Sequence, residues 1–120
     1  MIGSTILRLR LMGKASRDKG ARFERELVNT ARSHGLDAFR VPLSGAAEGF
    51  KNDVIIKQGR TTWEIEAKKR ATGFAFIYEN IEGADVLVIG ADRKKPLAVL
   101  DFEDFCDLVG GKFASNAQTS

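Results

Sequence analysis

The sequence predicts an α/β fold with a mixed central β-sheet flanked by helices. Two segments have the apolar spacing of amphipathic helices, one near the start of the chain and one near its end. Between them lie short strand-like segments, including a continuous apolar run ended by glycine, which is typical of a strand buried on both faces. The predicted order, α-β-β-β-α-β-β-α, indicates that these strands form one sheet with helices against it.

The first helix is predicted over residues 16–34, with Ser16 as its N-cap and Gly35 as its stop. Glu24 falls in the middle of the apolar stripe of this helix. A carboxylate on a core-facing stripe is costly unless it is paired or lies near a cation. Two explanations stay open: Glu24 points at a metal cluster, or it pairs with a neighbouring arginine or lies at the wet edge of the stripe.

Three strands are predicted next, and the last two form a hairpin around the turn Gly59-Arg60. Alternation along the third strand puts Trp63 on a buried face and Glu66 and Lys68 on the opposite face. Asp53 opens the second strand, so it can lie beside that charged pair. The three strands are Ala38–Leu43, Asp53–Lys57 and Thr61–Lys68.

The second half of the chain is predicted to contain a short helix, two strands and a final helix. The first of these strands carries the continuous apolar run and is expected to be a central strand buried on both faces. Cys106 faces inward from the final helix as a small core residue. The four elements are Ala71–Glu82, Asp85–Gly90, Leu97–Leu100 and Asp101–Val109.

Length and composition limit the classes of protein. The 120 residues predict one domain, with residues 1–14 as an N-terminal arm and 111–120 as a flexible tail. The single cysteine excludes a disulfide within the chain and is compatible with a reducing cytosol, the host's if the source is viral. One histidine and no Cys–His cluster make zinc sites and Ser-His-Asp triads poor candidates. No segment approaches the ~20 apolar residues of a membrane span, so no membrane partner is expected.

Charge is distributed unevenly along the chain. The net charge is +3, but residues 1–73 hold fifteen Lys/Arg against eight Asp/Glu, and the remainder holds four against eight. A basic half on a small domain is a common feature of proteins that bind phosphate backbones. A solvated charged surface is the alternative.

Asp53, Glu66 and Lys68 place two carboxylates and an ammonium near one strand end. Carboxylates are preferred ligands of hard divalent cations, and an ammonium can stabilise developing negative charge, so this set indicates a metal-dependent site. The alternative is that Glu66 and Lys68 form an exposed ion pair, worth ~0–1 kcal/mol.

These residues, together with Lys19-Gly20 and Glu24-Arg25-Glu26-Leu27, resemble the PD-(D/E)xK nuclease superfamily and, within it, the archaeal-type Holliday-junction resolvases. The similarity covers about residues 17–70, with Asn52 in place of the proline of the motif. The resemblance implies a restriction-endonuclease-like core and a homodimer that makes paired symmetric nicks in four-way DNA junctions.

The resemblance also implies roles for single residues. Asp53 and Glu66, with the carbonyl of Ala67, would bind Mg²⁺, for which Mn²⁺ can substitute. Lys68 would orient the attacking water or stabilise the phosphorane, and Glu24 would complete the acidic cluster. Ser44 lies in the loop where these resolvases carry a functional serine. The residues expected to contact DNA are Arg17, Lys19, Arg22, Arg25, Lys51, Lys69 and Arg70.

Two other functions remain compatible with the sequence. One is a nuclease of the same superfamily that acts on duplex ends or flaps, since one fold supports many substrates. The other is a DNA-binding module without catalysis.

Overall fold

The computed structural model describes residues 2–41 and 53–112, and only the backbone of residues 2–13 and of Ser16. The described chain divides into two compact units whose boundary lies between Lys69 and Arg70. No helix in the described ranges is long and apolar enough to cross a membrane.

The first unit consists of one long helix and a three-stranded antiparallel sheet in the order β1-β2-β3. The central strand, β2, is fully buried at Val54, Ile55 and Ile56, and Val28 and Ala31 of the helix belong to the same buried apolar set. The helix packs against β1 and β2. The elements are α1 (Ile2–Ser33), β1 (Asp37–Arg40), β2 (Val54–Gln58) and β3 (Thr61–Ile65).

The helix α1 begins at Ile2, so the prediction that it starts at Ser16 is wrong. Residues 2–16 contain no proline, which is the residue that would break a helix there, and a glycine costs only about 1 kcal/mol. The predicted stop is confirmed: Gly35 has φ +83°, and the Leu36 amide donates to the carbonyl of Ala31 at 3.1 Å.

A two-residue turn joins β2 and β3. Gly59 has φ +60°, and Arg60 is not among the residues with positive φ, which is the pattern of a type II′ hairpin turn. The turn sets the register, in which Gln58 pairs with Thr61 and Val54 pairs with Ile65. The predicted hairpin is therefore confirmed.

Trp63 was expected on the buried face of β3, but its exposed fraction is 41%. The packing of the helix explains the difference, because α1 packs mainly on β1 and β2, whereas β3 lies at the edge of the sheet. Residues 61–64 of β3 are all exposed. Alternation with a period of two correctly predicted a strand here, but it did not predict which strand would be buried.

The second unit contains two short helices and a two-stranded antiparallel sheet. Val88 is 64% exposed, so the prediction of a strand buried on both faces is wrong. The described strands form two antiparallel sheets rather than one mixed sheet, while the α/β class with helices beside the strands is confirmed. The elements are α2 (Ala75–Ile81), β4 (Leu87–Ile89), β5 (Leu97–Val99) and α3 (Phe102–Val109).

The final helix, α3, begins and ends with recognisable capping groups. The Asp101 carboxylate accepts a hydrogen bond from the Glu103 amide at 2.9 Å, and Gly110 donates back to the carbonyl of Cys106 at 2.9 Å. Cys106 is fully buried, as predicted. Burial raises the pKa of its thiol, and the negative charges of Asp107 and Glu103 raise it further.

The raised pKa predicts how stability depends on pH. The Cys106 thiol of the unfolded chain ionises at lower pH than that of the folded chain, so its contribution to stability is complete below the unfolded pKa and is lost as the pH rises through the folded pKa. The free energy of unfolding, measured with urea above pH ~9, should therefore fall more steeply in the wild type than in Cys106→Ala. Parallel pH profiles for the two proteins would contradict this.

Candidate active site at one end of the first sheet

Asp53 lies at the end of the sheet where β2 begins, and two hydrogen bonds hold it there. Its carbonyl accepts from the amide of Val41 at 3.0 Å, which extends the pairing of β1 with β2 by one step. Its Oδ2 atom accepts from the amide of Ala67 at 3.0 Å. One residue therefore links the end of β1, the start of β2 and the segment that follows β3.

Glu66 and Lys68 flank the amide that Asp53 binds. One step beyond the last strand pair, Val54 with Ile65, the register places Asp53 opposite Glu66. The Lys68 ammonium lies 3.2 Å from Oε1 of Glu66, with side chains 63% and 51% exposed. At that exposure the ion pair contributes ~0–1 kcal/mol, so either group can exchange its partner for a ligand at little cost.

The side chain of Glu24 contacts the same end of the sheet by binding an arginine there. Its Oε1 atom accepts from Nε of Arg40 at 3.0 Å, and its side chain is only 18% exposed. Arg40 is the last residue of β1 and pairs with Val54, directly beside Asp53. Of the two explanations left open by the sequence, the arginine pair is the one observed, although the arginine comes from a strand and not from the helix.

Arg40 is the residue of this site that sequence reasoning missed. It lies sixteen positions after Glu24, so no helical spacing connects the two. The available signal was the carboxylate itself, since an apolar stripe that contains Glu24 requires a cation somewhere opposite. The sequence could not say which of many arginines supplies it.

The donor chemistry fits a magnesium ion in part. Carboxylates of Asp53 and Glu66 and the carbonyl of Ala67 are hard oxygen donors, and Mg²⁺ is commonly held by one or two carboxylates with waters and substrate phosphates. However, within residues 2–41 and 53–112 no three acidic, histidine or cysteine side chains gather closely enough to hold a metal. Arg40 binds the carboxylate of Glu24 and Lys68 binds that of Glu66, and a shared ion between Glu24, Asp53 and Glu66 stays a prediction.

Four of the residues expected to contact DNA line one open groove of about 730 Å³ beside α1: Lys19, Arg22, Arg25 and Lys69. Arg17 is exposed on the same helix. Arg70 belongs to the second unit, and Lys51 and Ser44 lie outside the described residues. The groove brings together cations from the helix and from the segment that carries Glu66 and Lys68.

The ion pair of Glu24 with Arg40 should contribute measurably to stability. We expect Arg40→Ala to lower the free energy of unfolding by about 1 kcal/mol, because a partly sheltered carboxylate loses a charged donor. In a Glu24→Gln background the same substitution should lower the free energy of unfolding by clearly less. The difference between the two backgrounds, which is the coupling energy, should be about 0.5–1 kcal/mol. Urea unfolding at neutral pH measures both, with Arg22→Ala as the exposed control. Equal costs in the two backgrounds would show that the pair is not coupled.

Comparison with known proteins adds a family to this geometry. The model of the family described as archaeal Holliday junction resolvase (Hjc) matches residues 15–102. The crossover junction endodeoxyribonuclease Hje of Saccharolobus solfataricus is 38% identical over 53 residues, which cover 44% of this chain and 39% of that relative. No solved structure matches this chain. Because the family match extends over well more than half of the sequence and contains Glu24, Asp53 and Glu66–Lys68, the chain belongs to the archaeal Holliday junction resolvase family.

Proposed function

We propose that this protein is a Mg²⁺-dependent endonuclease that resolves Holliday junctions by paired symmetric nicks. The observation that carries the proposal is the hydrogen bond from the Ala67 amide to the Asp53 carboxylate. It fixes an acidic strand start against the segment Glu66-Ala67-Lys68 in a chain of a resolvase family. A related chain that is 38% identical bears the name of a crossover junction endonuclease.

In this proposal Asp53, Glu66 and the carbonyl of Ala67 would hold the ion. Mg²⁺, when bound, supplies Lewis-acid activation of the phosphodiester and of the attacking water. The Ala67 amide holds the Asp53 carboxylate in place, so little reorganisation of that ligand is required. Lys68 exchanges Glu66 for the phosphate, where its ammonium offsets the negative charge that develops as water adds and a P–O bond breaks.

In this proposal Glu24 acts indirectly. Its carboxylate is bound by Arg40, so Glu24 is a positioning residue that holds the end of β1 beside Asp53. The role of Ser44 stays a prediction from the family resemblance.

The groove on α1 supplies the DNA-binding surface. Lys19, Arg22, Arg25 and Lys69 can neutralise backbone phosphates, and such contacts position DNA without reading its sequence. Arg17, which is exposed on the same helix, would extend this surface. Arg70 and Lys51 stay predicted DNA contacts.

Two nicks related by symmetry require two sites. A homodimer with a two-fold axis presents them on opposite strands of a junction, so we propose that the active form is a dimer. The single cysteine is compatible with action in a reducing cytoplasm.

Cleavage of a synthetic four-way junction tests the proposal. With Mg²⁺ the wild type should make paired nicks, and Asp53→Asn and Lys68→Gln should each lower the single-turnover rate by about 10²-fold or more. Asp92→Asn and Lys95→Gln, which make the same charge changes at exposed positions of the second unit, should cleave like the wild type. Full activity of both Asp53→Asn and Lys68→Gln would overturn the mechanism.

The same assay separates the alternatives. A preference for duplex ends or flaps over junctions would support a nuclease but contradict the proposed resolvase function. DNA binding without cleavage in either Mg²⁺ or Mn²⁺ would identify a non-catalytic binding module.

Metal binding provides a readout that is independent of cleavage. Calorimetric titration with Mn²⁺ should show binding to the wild type and at least about tenfold weaker binding to Asp53→Asn, since one of two carboxylate ligands becomes a neutral amide. The Glu24→Gln variant should bind the ion like the wild type, because Arg40 occupies that carboxylate. Loss of binding in Glu24→Gln would instead place Glu24 among the ligands.

A further inference from the structure

The basic groove on α1 contains a carboxylate that a phosphate-binding surface does not need. Glu26 lines the groove together with Lys19, Arg22, Arg25 and Lys69. Its negative charge has the same sign as that of a DNA phosphate, so it repels the ligand that the four cations attract. Simple phosphate binding would be stronger without it.

Glu26 is paired with one particular cation of the groove. Its Oε2 atom lies 4.0 Å from the ammonium of Lys69, and this ammonium also lies 5.4 Å from the centre of the Phe23 ring. Phe23 and Glu26 are three residues apart on α1, so they project toward the same side of the helix. Lys69 is thus held on α1 by a ring face and a carboxylate, one residue after Lys68.

The pair is weak enough to be exchanged. The side chains of Lys69 and Glu26 are 50% and 65% exposed, and ion pairs at such exposure are strongly screened by water and salt. A phosphate that enters the groove offers Lys69 the same kind of oxygen acceptor. The ring of Phe23 can remain in place during this exchange, since it contacts the ammonium and not the carboxylate.

We propose that Glu26 competes with DNA phosphate for Lys69 and thereby sets the affinity and salt dependence of the groove. This inference rests on the proposed DNA-binding function and adds a residue that lowers the affinity for DNA. When a phosphate displaces Glu26, the released carboxylate takes up a cation from solution. The net number of cations released on binding is therefore about one lower than the four basic residues would give.

The first test compares Glu26→Gln with Glu79→Gln. Both substitutions remove one negative charge, but Glu79 is exposed on α2, in the second unit. Binding of a fluorescently labelled four-way junction is measured by anisotropy without divalent cations, over a series of KCl concentrations. Glu26→Gln should bind about two- to fivefold more tightly than the wild type. Its plot of log K against log salt should be steeper by up to ~0.9.

A second pair of variants locates the effect at Lys69. Lys69→Gln should bind more weakly than the wild type, and adding Glu26→Gln to it should no longer steepen the salt dependence. An unchanged effect of Glu26→Gln in the Lys69→Gln background would overturn competition for Lys69. Urea unfolding of each variant controls for stability, and both side chains are exposed enough that it should change little.

The outcomes distinguish this inference from the proposed function. If the wild type binds the junction but Glu26→Gln and Glu79→Gln behave alike, the inference about Glu26 is wrong and the proposed function stands. If the wild type does not bind the junction at any salt concentration, both are wrong.

Discussion

The candidate active site depends on the antiparallel pairing of β2 with both of its neighbours. Buried Val54, Ile55 and Ile56 hold β2 in the middle of the sheet, and the residue before them, Asp53, is thereby fixed between the end of β1 and the exit of β3. Backbone groups do the final positioning, since Val41 and Ala67 both donate amides to Asp53. The acidic residue is therefore held by the buried first three residues of β2, although it lies at the edge of the core.

Around that fixed residue, the other charged groups are held by ion pairs of different strength. The pair of Glu24 and Arg40 is mostly sheltered, while Glu66 with Lys68 and Glu26 with Lys69 are exposed. Shelter from water strengthens an ion pair and exposure weakens it. The sheltered pair suits a structural role. The two exposed pairs suit groups whose partners change when a metal or a phosphate arrives.

The sequence predicts local features well and long-range partners poorly. The turn residues Gly59-Arg60 correctly predicted the hairpin, and the resemblance of Glu24, Asp53 and Glu66–Lys68 to the resolvase motifs correctly predicted the family. The partner of Glu24 could not be predicted, because contact with Arg40 depends on how a helix packs on a strand. Exposure of Trp63 and Val88 was missed for a related reason: an apolar residue is buried only if some other element covers it. Neither alternation nor a continuous apolar run contains information on that cover.

The tight turn at Gly59 also restricts how this chain can vary in length over evolution. Because successive side chains of a strand alternate between faces, a single insertion or deletion within the hairpin would move Asp53 from its place opposite Glu66 to a place opposite a neighbour with the opposite orientation. Homologues can therefore keep Asp53 opposite Glu66 only if β2 and β3 change length by the same number of residues, or if a local bulge absorbs the difference. Segments outside this ladder are free of that rule.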